Sequence, residues 1–132
     1  MEAKFVNIAI AVKDLDEAIR LYGDILGVNL DGNITEQSSL GVKTAMLRGN
    51  GFEFELFSPL TGEKTVTRFL ETRGEGIYRL AYSVKDLDQA SDHFKSKGVA
   101  VFEAGINNNR RVLFTHPKAL KGVMMELVER RT

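Results

Sequence analysis

The 132 residues include no cysteine, which excludes disulfides, thiolate metal sites and cysteine nucleophiles. Histidine is almost as scarce, with only His93 and His116. There are two prolines, Pro59 and Pro117, both at the ends of strand-like runs where they interrupt no ladder. No apolar run approaches the roughly 20 residues of a membrane span, and the N-terminus carries no signal-peptide pattern. Charge of neither sign dominates: 18 basic and 18 acidic residues are interspersed and cancel. That balance argues against nucleic acid or an anionic membrane as partner. A soluble, cytoplasmic single domain of residues 1–132 is expected, long enough to bury a core.

A duplication is present. Val12-Lys13-Asp14-Leu15-Asp16-Glu17-Ala18 recurs 72 residues later as Val84-Lys85-Asp86-Leu87-Asp88-Gln89-Ala90. Each copy follows a β-like run, Phe5–Val12 or Ile77–Val84, and opens a helix-like stretch. In the first helix Leu15, Ala18, Ile19, Tyr22 and Leu26 form a helical stripe, with Asp14 as N-cap and Gly27 just past the end. Asp86, Leu87, Ala90, Phe94 and Gly98 repeat the scheme. A shorter helix over Val66 to Thr72 connects the halves. Module one spans about 1–62, the connector about 63–74 and module two about 75–132. Further strands are predicted over Asn29–Thr35 (weakly), Val42–Arg48, Phe52–Ser58, Val99–Glu103, Val112–Thr115 and Val123–Val128, with a polar loop at Gly105–Asn109. The order is β-α-β-β-β twice. The fold class is α+β, with a curled mixed sheet forming a cup and helices outside.

Strand alternation sorts these residues into faces. Val6, Ile8, Ile10 and Val12 suit packing under a helix, and leave Asn7 on the other face. In the repeat, Arg79 is the equivalent of Asn7, 72 residues on. Glu55 within Phe54-Glu55-Leu56 matches Glu126 within Met125-Glu126-Leu127, at an offset of 71. A curled sheet would gather Asn7, Glu55, Arg79 and Glu126 in one pocket. The plain alternative is that one face of an antiparallel sheet is simply solvated.

With those residues in place, the chain resembles the vicinal oxygen chelate superfamily (glyoxalases, bleomycin resistance proteins and dioxygenases), nearest the methylmalonyl-CoA epimerase branch. The resemblance rests on Asn7 to Ile19, Glu55-Leu56-Phe57-Ser58-Pro59-Leu60, Gly74-Glu75-Gly76-Ile77, Thr115-His116-Pro117-Lys118 and Gly122-Val123-Met124-Met125-Glu126-Leu127. It implies two side-by-side βαβββ modules, often in a homodimer, and a small-molecule ligand. It also implies a divalent metal held by a histidine on the first strand of each module and by Glu or Gln on the last. Glu55 and Glu126 stand at the carboxylate positions, and Asn7 and Arg79 at those of the histidines. The epimerase's second proton-transfer carboxylate falls on Ser38, counting without gaps from Gly41.

These departures change the expected chemistry. Zinc, cobalt and nickel favour imidazole, and a permanently protonated guanidinium cannot ligate. At about 4 Å and an effective dielectric of about 20, two unit charges interact by about 4 kcal/mol, and a dication would meet about twice that repulsion. No metal and no other cofactor is therefore expected. Glu126 and Glu55 are the candidate catalytic residues, with Asn7, Arg79 and Ser38 as ligand contacts. Three readings stand: metal-independent isomerase or lyase chemistry on a small carboxylate or acyl thioester, a non-catalytic small-molecule-binding domain, and a metal-dependent epimerase or lactoylglutathione lyase. His93 lies on a polar helix face, and His116 in the turn before the last strand. Lys118, Lys121, Arg110 and Arg111 are basic residues that could meet an anionic tail such as the phosphates of CoA.

Overall fold

The structure, a computed structural model, describes residues 1–107 and 110–130. Its elements are β1 (Lys4–Ala11), α1 (Leu15–Leu26), β2 (Asn29–Gln37), β3 (Val42–Arg48), β4 (Glu53–Pro59), α2 (Thr65–Arg73), β5 (Gly76–Val84), α3 (Leu87–Ser96), β6 (Val101–Asn107), β7 (Arg110–Thr115), a 3-10 turn (Pro117–Leu120) and β8 (Met124–Glu129). The fold is mixed α+β, and β-α-β-β-β occurs twice around α2. Two compact units result, one of Ile8–Tyr78 and the other of Met1–Asn7 with Arg79–Thr132.

In the unit Ile8–Tyr78 the strand order is β2-β3-β4-β1. β3 is antiparallel to β2 and β4, and β1 runs parallel to β4 with Ala9 opposite Glu55. The apolar stripe of α1 packs on one face of this sheet, against Ile8, Ile10, Ala45, Leu47 and Leu56. Leu47 and Leu56 have no exposed surface, each contributing about 1.5–3 kcal/mol by leaving water. The connector α2 lies on the opposite face, where Val66 and Leu70 cover Ala9, Ala11, Val42 and Phe57. Glu63 starts this helix by accepting the Val66 N–H at 2.9 Å and the Thr67 N–H at 3.0 Å.

The other unit repeats the plan with strand order β5-β8-β7-β6. β5 runs parallel to β8 and sets Ala81 opposite Glu126, the counterpart of Ala9 opposite Glu55. Here α3 packs Leu87 and Ala90 on Val84, Leu113 and Leu127. The two main helices begin identically. Asp14 accepts the Glu17 N–H at 3.0 Å and Asp86 the Gln89 N–H at 3.0 Å, relieving one orphan donor each. The first ends on Gly27 in the left-handed region, φ 68°, a conformation glycine adopts without a Cβ penalty.

The edge strands of both units are irregular. The β2–β3 register shifts between Asp31 and Thr35, and the β6–β7 register between Glu103 and Ile106. Where the sequence predicts a loop at Gly105–Asn109, β6 continues to Asn107 and β7 resumes at Arg110. Ladder pairing with β7 overrides the polar composition there; Asn108 and Asn109 lie outside the described residues.

Candidate active site

Three of the residues singled out by strand alternation are joined in one unit. Arg79 and Ala81 share a face of β5, and Ala81 is registered with Glu126 on β8, so Arg79 and Glu126 project to the same side. Arg79 Nε lies 2.6 Å from Glu126 Oε2. Its Nη1 donates to Asn7 Oδ1 at 3.0 Å. Asn7 is 6% exposed and Glu126 7%, so the guanidinium ties together two nearly dry oxygens.

The electrostatics are a contest between burial and pairing. Burial pushes the Glu126 carboxyl above its ordinary range, and the adjacent Arg79 charge offsets only part of that rise. A carboxylate with a raised pKa, held against a permanent cation, can accept a proton more readily than a solvated one. The same cation can hold a carboxylate or a developing oxyanion. Among the described residues no group of three or more His, Cys, Asp or Glu side chains is placed to hold a metal ion.

Glu55 belongs to the unit Ile8–Tyr78. It stands on β4 between Ala9 of β1 and Met46 of β3, its registered neighbours on either side. Two residues further along the same face, Phe57 meets Tyr78 edge-to-face at 5.2 Å, and Tyr78 meets Phe69 of α2 at 4.9 Å. That aromatic group fills the rung beside Ala11. The Tyr78 phenol is pushed upward by burial and by the negative charge of Glu63, so it stays protonated near neutrality. Ser38 sits in the exposed turn between β2 and β3, where its carbonyl accepts the Gly41 N–H at 3.2 Å.

The histidines stand apart in role. His93 is exposed on α3. His116 Nδ1 accepts the Lys118 N–H at 3.1 Å and so caps the 3-10 turn, a structural duty that requires an unprotonated Nδ1. Lys118 and Lys121 are exposed. Thr115 and Thr44 escaped the reading of the sequence because threonine in a strand signals only β propensity. Thr115 is 1% exposed and its Oγ1 accepts the Met125 N–H at 3.2 Å, which fixes the start of the strand carrying Glu126. Thr44, also buried, lies opposite Phe57 on the face that carries Glu55.

The chain is similar to known proteins over most of its length. Residues 7–114 match the model of the Glyoxalase/Bleomycin resistance protein/Dioxygenase superfamily. An ethylmalonyl-CoA/methylmalonyl-CoA epimerase of Cereibacter sphaeroides is 31% identical over 132 residues, covering 96% of this chain and 98% of its own. The crystal structure of methylmalonyl-CoA epimerase from Mycobacterium tuberculosis superposes with a TM-score of 0.85 at 35% identity, covering 97% of this chain and 88% of that one. A variant of the Streptomyces coelicolor methylmalonyl-CoA epimerase, in complex with 2-nitronate-propionyl-CoA, gives 0.85 at 28% identity, covering 98% of each chain. The chain belongs to the glyoxalase/bleomycin resistance protein/dioxygenase superfamily, and its relatives there include methylmalonyl-CoA epimerases.

Proposed function

We propose that this protein binds a small carboxylate or acyl thioester and moves a proton at the carbon next to its carbonyl without the help of a metal. The carrying observation is the 2.6 Å contact between Arg79 and Glu126. The donor chemistry at these positions does not fit a transition ion. Both oxygens that would face it, on Asn7 and Glu126, already accept from the guanidinium, and no imidazole accompanies them.

Each residue then has a task. The Glu126 carboxylate removes the α-proton, and the C–H electron pair moves onto the carbonyl oxygen as an enolate. Arg79 supplies the positive charge that stabilises this oxygen, with Asn7 holding the guanidinium in place. Water returns a proton to the carbon, the hydroxide so formed takes the proton from Glu126, and Glu55 is assigned as the candidate catalytic carboxylate of the unit Ile8–Tyr78. Ser38 is assigned to ligand binding only. The malonyl thioesters named for the relatives carry an acidic C–H between two carbonyl groups, which suits carboxylate bases. A homodimer belongs to this reading, carried by Leu21 and Ile25, exposed one turn apart on α1; sedimentation velocity tests it.

A second reading rests on the mutual satisfaction of Asn7, Arg79 and Glu126, which is compatible with binding alone. One experiment separates the two: incubation with methylmalonyl-CoA in deuterium oxide, followed by mass spectrometry. Gain of one mass unit, lost in Glu126→Gln, supports proton transfer. Binding without exchange supports the second reading, and no binding overturns both.

A further inference from the structure

We infer that Thr115, from the far face of its sheet, is a positioning residue that holds Glu126 in contact with Arg79, an inference that rests on the proposed proton-transfer reading. The β7–β8 ladder pairs Val112 with Val128, Leu113 with Leu127 and Phe114 with Glu126, and the pairing ends there. One residue further along, Thr115 Oγ1 accepts the Met125 N–H at 3.2 Å, so a side-chain oxygen stands where the next ladder carbonyl would. Thr115 is 1% exposed. It shares the face of Leu113, which packs with α3, whereas Phe114 and Glu126 stand on the other face. The hydroxyl therefore reaches Glu126 only through the backbone, by fixing the residue just before it.

The repeat shows what this bond replaces. In the unit Ile8–Tyr78, Phe54 precedes Glu55 as Met125 precedes Glu126, and Phe54 pairs with Leu47 in a ladder that runs on to Arg48 and Glu53. Leu47 thus occupies the place of Thr115, and there main-chain pairing alone holds the strand. Between β7 and β8 the chain instead makes the 3-10 turn Pro117–Leu120, followed by Lys121 at φ 61°. A valine at 115 would have nearly the same shape and the same preference for strands, so the oxygen is what threonine adds. Without it the Met125 N–H loses its acceptor, and the start of β8 must shift to satisfy it. Met125 is registered with Leu80 and Glu126 with Ala81, so such a shift moves the carboxylate along the strand that carries Arg79. Arg79 is the charged group in contact with Glu126; its registered neighbours in the sheet, Phe114 and Ala81, are apolar.

The test compares full-length wild type with Thr115→Val and Thr115→Ser. Deuterium incorporation into methylmalonyl-CoA follows the reaction, calorimetry gives the Kd of the thioester, and carbon NMR follows the titration of the Glu126 carboxyl, assigned by its loss in Glu126→Gln. Thr115→Val should exchange about 10- to 100-fold more slowly, with Kd changed far less than the rate. Its Glu126 titration should move to higher pH, because a displaced Arg79 charge opposes the effect of burial less. Thr115→Ser keeps the oxygen and should restore most of the rate and the wild-type titration, a contrast that a loss of packing alone would not produce. Thr115→Cys, a weak acceptor of similar size, serves if circular dichroism shows the valine variant unfolded, and should move both readouts the same way. Wild-type exchange together with an unchanged rate and titration in the folded variant overturns the role of Thr115 alone. A wild type that exchanges no deuterium overturns the underlying reading and this inference with it.

Discussion

Arg79 and Glu126 form an ion pair of 2.6 Å whose side chains are only 13% and 9% exposed. Residues on adjacent parallel strands thereby bring a permanent cation and a carboxylate of raised pKa into contact. Desolvating both charges is costly, and their attraction offsets that cost only while both partners are present.

Removal of one partner should therefore be severe. Arg79→Met leaves Glu126 buried without its counter-charge, and urea denaturation at neutral pH should show a loss of about 3–5 kcal/mol. The loss should shrink in acid, where Glu126 takes up a proton and the uncompensated charge disappears. A loss that is equal at both pH values would assign it to packing instead.

The pH dependence of wild type has a definite sign. Folding raises the Glu126 pKa above its ordinary value of 4.5, so the folded state holds that proton more tightly than the unfolded chain. The resulting stability is fully present below about pH 4.5 and is lost as pH rises through the higher folded value. Glu126→Gln cannot titrate, so the melting temperature of wild type should fall relative to that of the variant as pH rises through this window. A relative rise would show that Arg79, rather than burial, controls the group.

Imidazole at positions 7 and 79 should confer metal affinity. Asn7→His with Arg79→His removes the cation and places two imidazoles beside Glu126, a set of three ligands suited to zinc or cobalt. Titration calorimetry should detect near-stoichiometric cobalt in the double variant and none in wild type. A folded double variant that binds neither ion would show that the backbone at these positions has diverged as well.

The duplication makes a stability prediction. Asp14 and Asp86 cap their helices at the same 3.0 Å distance, so alanine at either place should cost about 1 kcal/mol. Chemical denaturation that finds one cap several times more valuable than the other would contradict the equivalence of the two modules.

Much of this was legible from local chemistry. Capping aspartates, the glycine after α1 and the Leu15-to-Leu26 stripe located the helices, because each signal is carried by a few adjacent residues. The repeat located Arg79 and Glu126 on one face, because alternation along a strand is strict. Their depth was not legible: the 7% exposure of Glu126 depends on what packs over it, which no local pattern records. The continuation of β6 to Asn107 was hidden for a related reason, since Asn107 gains strand structure only through pairing with Arg110 of β7.

In the proposed reaction the Arg79–Glu126 pair does the work a metal would otherwise do. The most direct measurement is deuterium incorporation into methylmalonyl-CoA by protein freed of metal with a chelator and checked by elemental analysis. Exchange at the rate of the untreated protein, unchanged by added cobalt or zinc and lost in Glu126→Gln, is the expected result. Exchange that vanishes on chelation and returns with either ion would contradict it.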